Sequence, residues 1–200
     1  MSSEAAKIVD LYERHAQNWD MDRGRDLFER PWLDHFLKLI PRGSSILDVG
    51  CGSGEPIARY FIEQGYDVTG VDSSPSLINL CKPRFPLQRW VVADMRELCL
   101  SGRFNGIIAW DSFFHLCPED QRRMFPIFRK HSAPKAILLF TTGPASGEAI
   151  GEYRLEPLYH SSLDGAEYRE LLDRNEFAVV SHVAKDTTCG HHTVWLAQLR

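Results

Sequence analysis

Five short β-rich runs alternate with helical segments through the middle of the chain, and this alternation constrains the fold more than any other feature. The runs are SILDV, DVTGV, RWVVA, FNGIIAW and AILLFTT, starting at Ser45, Asp67, Arg89, Phe104 and Ala136. Between them, Pro56 to Gln64, Pro75 to Lys82 and Pro118 to His131 read as helices, each with a proline near its first turn, where a missing N–H is of no consequence. Strands that alternate with helices pair in parallel through crossovers, so the sequence predicts a doubly wound α/β sheet. A further amphipathic helix over Asp164 to Arg174 breaks the pattern, because FAVVSHVA and HTVWLAQL follow it with only the polar turn KDTTCGH between them. Two strands joined that closely pair antiparallel. The stretch from Gly143 to Ser162 lacks clear periodicity and reads as a surface loop near the strand ends.

Ahead of the first strand, Ile8, Leu11, Tyr12 and His15 share one helical face. Leu27, Phe28, Trp32, Leu33, Phe36 and Leu39 then recur at three- and four-residue steps until Pro41, Arg42 and Gly43 stop the helix. No repeat or linker divides the chain, so residues 1–200 read as one domain, helical over 1–43 and built on the sheet over 44–200. With 44% hydrophobic and 25% charged residues the composition is that of a globular protein. The 23 Lys and Arg against 27 Asp and Glu give a net charge of -4, which provides no broad basic field for nucleic acid. The longest apolar stretch, around Ala136 to Phe140, is too short to span a bilayer, and the N-terminus lacks the uninterrupted hydrophobic segment of a secretory signal. These features predict a cytoplasmic protein with no membrane partner. The cysteines Cys51, Cys81, Cys99, Cys117 and Cys189 are odd in number and never spaced C-x-x-C, which predicts reduced and mostly buried thiols.

The first strand runs into Gly50, Cys51, Gly52, Ser53 and Gly54, a turn of alternating glycines where backbone can approach a ligand closely. A dinucleotide fingerprint needs a further glycine where Glu55 stands. A carboxylate there repels a pyrophosphate, so the turn suits a nucleoside without phosphates. The second strand ends at Asp72, where a carboxylate can accept from a ribose diol. After the third come Asp94 and Met95, suited to accept from an adenine amine and to pack on the ring. Either aspartate alone is equally a helix cap or turn former; the ordered set with the glycine turn first is harder to dismiss.

LDVGCGSG, VTGVD and VADM resemble the first three cofactor motifs of class I S-adenosylmethionine-dependent methyltransferases, and FNGIIAWDSFFHL resembles the fourth-strand motif of that superfamily. The resemblance covers Ser45 to Arg200, with a texture similar to small-molecule bacterial methyltransferases of the type 11 or 25 branch. It implies a seven-stranded Rossmann-like sheet of order 3-2-1-4-5-7-6 with the last strand antiparallel. It implies S-adenosyl-L-methionine as cofactor and S-adenosyl-L-homocysteine as product. By the same resemblance Asp48, Gly50, Cys51, Gly52 and Gly54 line the methionine half, Asp72 and Ser73 the ribose, and Asp94 and Met95 the adenine. Trp110 or Asp111 borders the sulfonium. Tyr12, Trp19, Arg23 and Arg25 lie in a helical lid, where an arginine can meet the cofactor carboxylate. The fourth motif lacks the Asn/Asp-Pro-Pro-Tyr sequence of base and amide methylation, which argues against DNA or glutamine acceptors.

Methyl transfer is an in-line displacement on an activated carbon, so the protein mainly aligns the reactants and excludes water. A protonated nucleophile also needs a base. His115, one turn past Asp111, is the first candidate, with Asp111 expected to orient it and raise its basicity; the alternative is a packed histidine beside Phe113 and Phe114, and Tyr159, His160, His191 and His192 are lesser candidates. Tyr159, His160 and Arg154 are expected to line the acceptor side. His191 and His192 beside Cys189 lack ligand spacing and read as surface residues of a turn, so no metal is expected. The favoured function is methyl transfer to oxygen or nitrogen of a small molecule. A non-catalytic S-adenosylmethionine-binding module, a nicotinamide-dependent oxidoreductase and an aminopropyl transferase using the decarboxylated cofactor stay open.

Overall fold

The computed structural model describes residues 4–200, so residues 1–3 of the expected helical part lie outside the described residues. Three helices come first: α1 (Ile8–Arg14), α2 (Ala16–Asp22) and α3 (Arg30–Lys38). The alternating part follows as β1 (Ser45–Val49), α4 (Ile57–Glu63), β2 (Asp67–Asp72), α5 (Pro75–Arg84), β3 (Arg89–Val92), β4 (Phe104–Ala109), α6 (Pro118–His131) and β5 (Ser132–Thr142). A hairpin of β6 (Gly147–Tyr153) and β7 (Glu156–Ser162) comes next, then α7 (Gly165–Arg174), β8 (Phe177–Asp186) and β9 (His192–Leu199). The main sheet is seven-stranded, ordered β3-β2-β1-β4-β5-β9-β8, which is the expected order once the hairpin is set aside. Only β9 runs against its neighbours, antiparallel to both β5 and β8.

The hairpin corrects the expected loop between Gly143 and Ser162. Six of the seven residues of β6 are exposed and none is buried, so neither face has to be apolar, and the alternation that reveals a half-buried strand is missing. α3 starts at Arg30, so Leu27 and Phe28 precede it, and β5 starts at Ser132 rather than Ala136.

Successive strand residues point to opposite faces, and both faces are covered, which is why the inner strands are almost continuously apolar. Leu47, Ile107 and Leu138 pack on one face with Phe113, Phe125, Phe128 and Tyr168. Their neighbours Ile46, Ile108, Ile137 and Leu139 pack on the other with Trp32, Leu33, Phe36 and Phe61. α3 lies so close to β4 that a Cβ on Gly106 would sit 2.3 Å from the Phe36 ring.

The turns after β1, β2, β3 and β4 gather at the carboxyl edge of the parallel strands, where open α/β sheets bind ligands. α1 and α2 lie across that edge. On one side Glu13 accepts from the Ser76 hydroxyl (2.6 Å), the Ser76 N–H (3.0 Å) and the Ser74 hydroxyl (2.5 Å) at the start of α5. Asp20 accepts from both terminal nitrogens of Arg84 at the end of that helix (2.6 and 2.7 Å). On the other side Arg14 and His15 reach Glu156 of β7, and Asp22 accepts from Tyr153 and Arg154 of the hairpin. Among the described residues no helix is long and apolar enough to cross a membrane. All five cysteines are free; Cys99 is exposed and the other four are buried.

Candidate functional site

One cavity runs along the carboxyl edge beneath α1 and α2. Its floor is the turn after β1. Gly50 has φ +80°, and a Cβ there would lie 2.2 Å from that of Ser112, so the turns after β1 and β4 pack backbone to side chain. Gly52 has φ +56°, and the nearest atom to a Cβ there is the Trp19 indole nitrogen at 3.7 Å, which leaves the floor open to a ligand. Asp72 accepts from the Gly52 N–H on one oxygen and the Ser74 N–H on the other, each at 2.9 Å. Both oxygens keep lone pairs. Asp48 is 4% exposed and lines the same cavity. Burial, reinforced by the charge of Asp72, pushes its pKa up to about 7. No hydrogen bond from a described residue reaches this carboxylate, so the structure leaves it for a cationic or N–H-bearing ligand. At the far end, Ser73, Leu77, Asp94, Met95 and Leu116 line the wall under Ile8 and Val9 of α1. Arg96 donates from Nε to both oxygens of Asp94 (3.0 Å each).

The other end is walled by Tyr12, Trp19, Arg23, Trp110, Asp111 and His115. His115 Nδ1 lies 2.7 Å from the Tyr159 carbonyl, which can only accept, so Nδ1 carries the ring hydrogen. Burial pushes the His115 pKa down to about 4, so the ring is neutral and Nε2 is a lone pair. The Tyr12 hydroxyl, 2.9 Å away, therefore donates to it. Burial also raises the Tyr12 pKa, so the phenol keeps its proton. Asp111 does not orient His115. Its Oδ1 pairs with His192 Nε2 at 2.9 Å, while His192 Nδ1 sits 2.8 Å from the Cys189 carbonyl and the ring stacks on Trp110. The hydrogen bond to Asp111 raises the His192 pKa. Arg23 donates to Glu29 at 2.5 Å; the Glu29 side chain is wholly buried.

The cavity brings together Tyr12, Trp19, Asp48, Gly50, Cys51, Gly52, Asp72, Ser73, Asp94, Met95, Trp110, Asp111 and His115. It does not take in Gly54, which packs against Phe85 and Trp90: a Cβ there would lie 3.0 and 3.2 Å from those rings. Nor do the expected acceptor residues line it. Tyr159 is fully buried and offers only its carbonyl to His115. His160 packs at a tilt against His115 and Phe114, and Arg154 is an exposed partner of Asp22. Glu55 is also less repulsive than expected, because Arg59 and Arg25 pair with it. Arg25 pairs with Asp20 and is half exposed, while Arg23 faces the cavity. His192 was missed. Its turn looks solvated in sequence, and only the antiparallel return of β9, with Thr193 opposite Thr142, puts it at the carboxyl edge beside Asp111. Among the described residues no group of His, Cys, Asp or Glu is arranged to hold a metal ion.

Residues 19–182 match the methyltransferase domain family. Magnesium-protoporphyrin O-methyltransferase of Rhodobacter capsulatus is 31% identical over 127 residues, 60% of this chain and 54% of that protein. The chain spans about half the length of such curated relatives. Among solved structures, magnesium protoporphyrin IX methyltransferase from Synechocystis with bound S-adenosylhomocysteine superposes with TM-score 0.76 at 14% identity, over 99% of this chain and 100% of the other. The 1,6-didemethyltoxoflavin-N1-methyltransferase of Burkholderia thailandensis, also with S-adenosylhomocysteine, gives 0.74 at 21% identity, over 100% of this chain and 91% of that one. At these identities the structural likeness is one of fold, whereas the family match spans most of the chain. The chain belongs to the methyltransferase domain family, within the class I S-adenosylmethionine-dependent methyltransferases, whose cofactor is S-adenosylmethionine.

Proposed function

We propose that this chain transfers a methyl group from S-adenosylmethionine to a small-molecule acceptor held in the cavity beneath α1 and α2. The observation that carries this reading is the pair of carboxylates on the glycine floor, Asp48 buried and Asp72 half-buried. Among the described residues none donates to Asp48, and Asp72 keeps lone-pair capacity beyond the backbone N–H groups that reach it. Together they fit the ammonium and the ribose diol of the cofactor, and the open face of Gly52 leaves room for the chain between them. Arg23, the arginine of the lid that faces the cavity, meets the carboxylate. Asp94 and Met95 take the adenine, with Ile8 and Val9 closing over it. When bound, the cofactor supplies an electrophilic methyl on a sulfonium; no metal or base has to activate that carbon. The protein's own contribution is alignment and a dry site, and Tyr12, held by His115, forms part of the wall next to the acceptor. With the ring nitrogen of His115 already occupied, the structure favours a positioning role for it over that of free base.

Calorimetry on the full chain tests this. S-adenosylmethionine and S-adenosylhomocysteine bind, NAD and NADP do not, and Asp72→Ala weakens both cofactor forms by about 1.5–3 kcal/mol through unmatched ribose hydroxyls. Unchanged affinity in a folded Asp72→Ala protein rejects the ribose assignment. A metabolite screen for S-adenosylhomocysteine release then separates an enzyme from a binding module.

A further inference from the structure

We infer that the acceptor is an amine, its nitrogen bound between the Tyr12 hydroxyl and the Asp111 carboxylate; this rests on the cavity being the methyl-transfer site. The positions of the hydrogens decide between acceptor classes. Tyr12 has one hydroxyl hydrogen and spends it on His115 Nε2, because the His115 ring hydrogen is committed to the Tyr159 carbonyl. Ser112 spends its hydroxyl hydrogen on the Val49 carbonyl at 2.6 Å. Asp111 accepts on Oδ1 from His192 and from Thr141 (3.4 Å), and no described residue donates to its Oδ2. The Trp110 indole N–H is sealed from the cavity and has no partner among the described residues. Tyr12, Ser112 and Asp111 thus offer lone pairs only.

A carboxylate acceptor meets these oxygens with no hydrogen to share and is repelled by Asp111. An alcohol or phenol supplies one hydrogen. An amine supplies two or three, and as an ammonium it matches the carboxylate charge. The aromatic walls suit a cation as well: Tyr12 and Trp19, which line the cavity, meet edge to face at 5.1 Å. Arg23, a cation lining the same cavity, is paired with Glu29 and assigned above to the cofactor carboxylate, so it does not serve the acceptor. The relatives described above include both an O- and an N-methyltransferase, so kinship leaves the choice to the site.

The bound ammonium gives one proton to Asp111, which passes it to water. The freed lone pair forms the N–C bond as the C–S bond breaks with its electrons left on sulfur, and the positive charge moves from sulfur to the nitrogen beside Asp111. His192 is a positioning residue. With Nδ1 giving its hydrogen to the Cys189 carbonyl, it donates from Nε2 as an imidazolium and holds Asp111 Oδ1, leaving Oδ2 for the ligand.

The test uses the full chain saturated with S-adenosylhomocysteine, titrated calorimetrically with benzylamine, benzyl alcohol and benzoate. Benzylamine is expected to bind about 10-fold or more tighter than benzoate, and Asp111→Asn to lose about 10-fold for benzylamine while S-adenosylhomocysteine affinity stays within about 2-fold. His192→Gln, whose amide still donates to Asp111, keeps the preference for the amine, and His192→Leu loses it. Equal or tighter binding of benzoate, no benzylamine binding up to about 20 mM, or unchanged benzylamine affinity in Asp111→Asn overturns the inference. Failure of S-adenosylhomocysteine itself to bind rejects the methyl-transfer reading instead.

Discussion

Asp48 shows what a binding site asks of a single residue. Its carboxylate is buried at the end of β1 without a donor among the described residues, and burial and Asp72 push its pKa up to about 7. The unfolded chain ionises this group near the ordinary carboxylate value, so between about pH 4 and 7 the folded state holds a proton that the unfolded state releases. Stability of the cofactor-free protein therefore falls as pH rises through that window and levels off above it. Asp48→Asn removes the penalty. We expect its melting temperature without cofactor to exceed wild type by about 3–5 °C at pH 8, with a smaller margin at pH 5, and its affinity for S-adenosylmethionine to fall about 10-fold or more. Thermal unfolding at the two pH values checks the first expectation; identical pH dependence in the two proteins contradicts it. Asp111 is a second residue held against its preference. Its backbone lies at φ +49°, kept there by an N–H bond to the Thr141 hydroxyl at 2.9 Å, and strain of this kind clusters where a side chain must be aimed.

Among the elements, α1 is held by two adjacent residues pointing to different partners. Tyr12 reaches the turn after β4, and Glu13 reaches the first turn of α5, where Ser74 also caps the helix by accepting from the Leu77 N–H. The negative charge of Glu13 suits that helix start, and its hydrogen bonds from Ser74 and Ser76 lower its pKa. Glu13→Gln keeps the shape but loses charge-assisted bonds. It is expected to weaken cofactor binding about 3- to 10-fold and to reduce hydrogen-exchange protection of α1 in the complex, with the sheet amides unaffected. Loss of protection in the sheet would instead make α1 part of the core. The parallel strands and their helices were legible from sequence because each strand is an apolar run and α4, α5 and α6 each have a proline at or just before the first turn. The ordered aspartates after the glycine turn were legible too, since a strand end fixes where the next side chain goes. The hairpin was not, because a strand solvated on both faces carries no periodicity, and Tyr159 with it: EPLYHSS turns its tyrosine inward only once β7 has docked on the turn at His115. His192 depended on the register of β9, which no local pattern states.

At the level of the whole molecule, the cavity is closed by residues far apart in the chain. Tyr12 and His115 are 103 residues apart, and His192 joins Asp111 from the final hairpin. α1 and α2 are tied to α5 on one side by Glu13 and Asp20, and to the β6–β7 hairpin on the other by Arg14, His15 and Asp22. A strap fastened at both edges cannot lift by breaking one contact, so under the proposed function its opening is expected to be slower than the transfer and to limit product release. A rapid-quench experiment with excess cofactor and acceptor should show a burst of about one methylated product per enzyme followed by a slower steady rate, and steady-state inhibition by S-adenosylhomocysteine should be competitive against S-adenosylmethionine, marking an ordered sequence in which the nucleoside enters first and leaves last. A linear time course with no burst would place the slow step in the transfer itself.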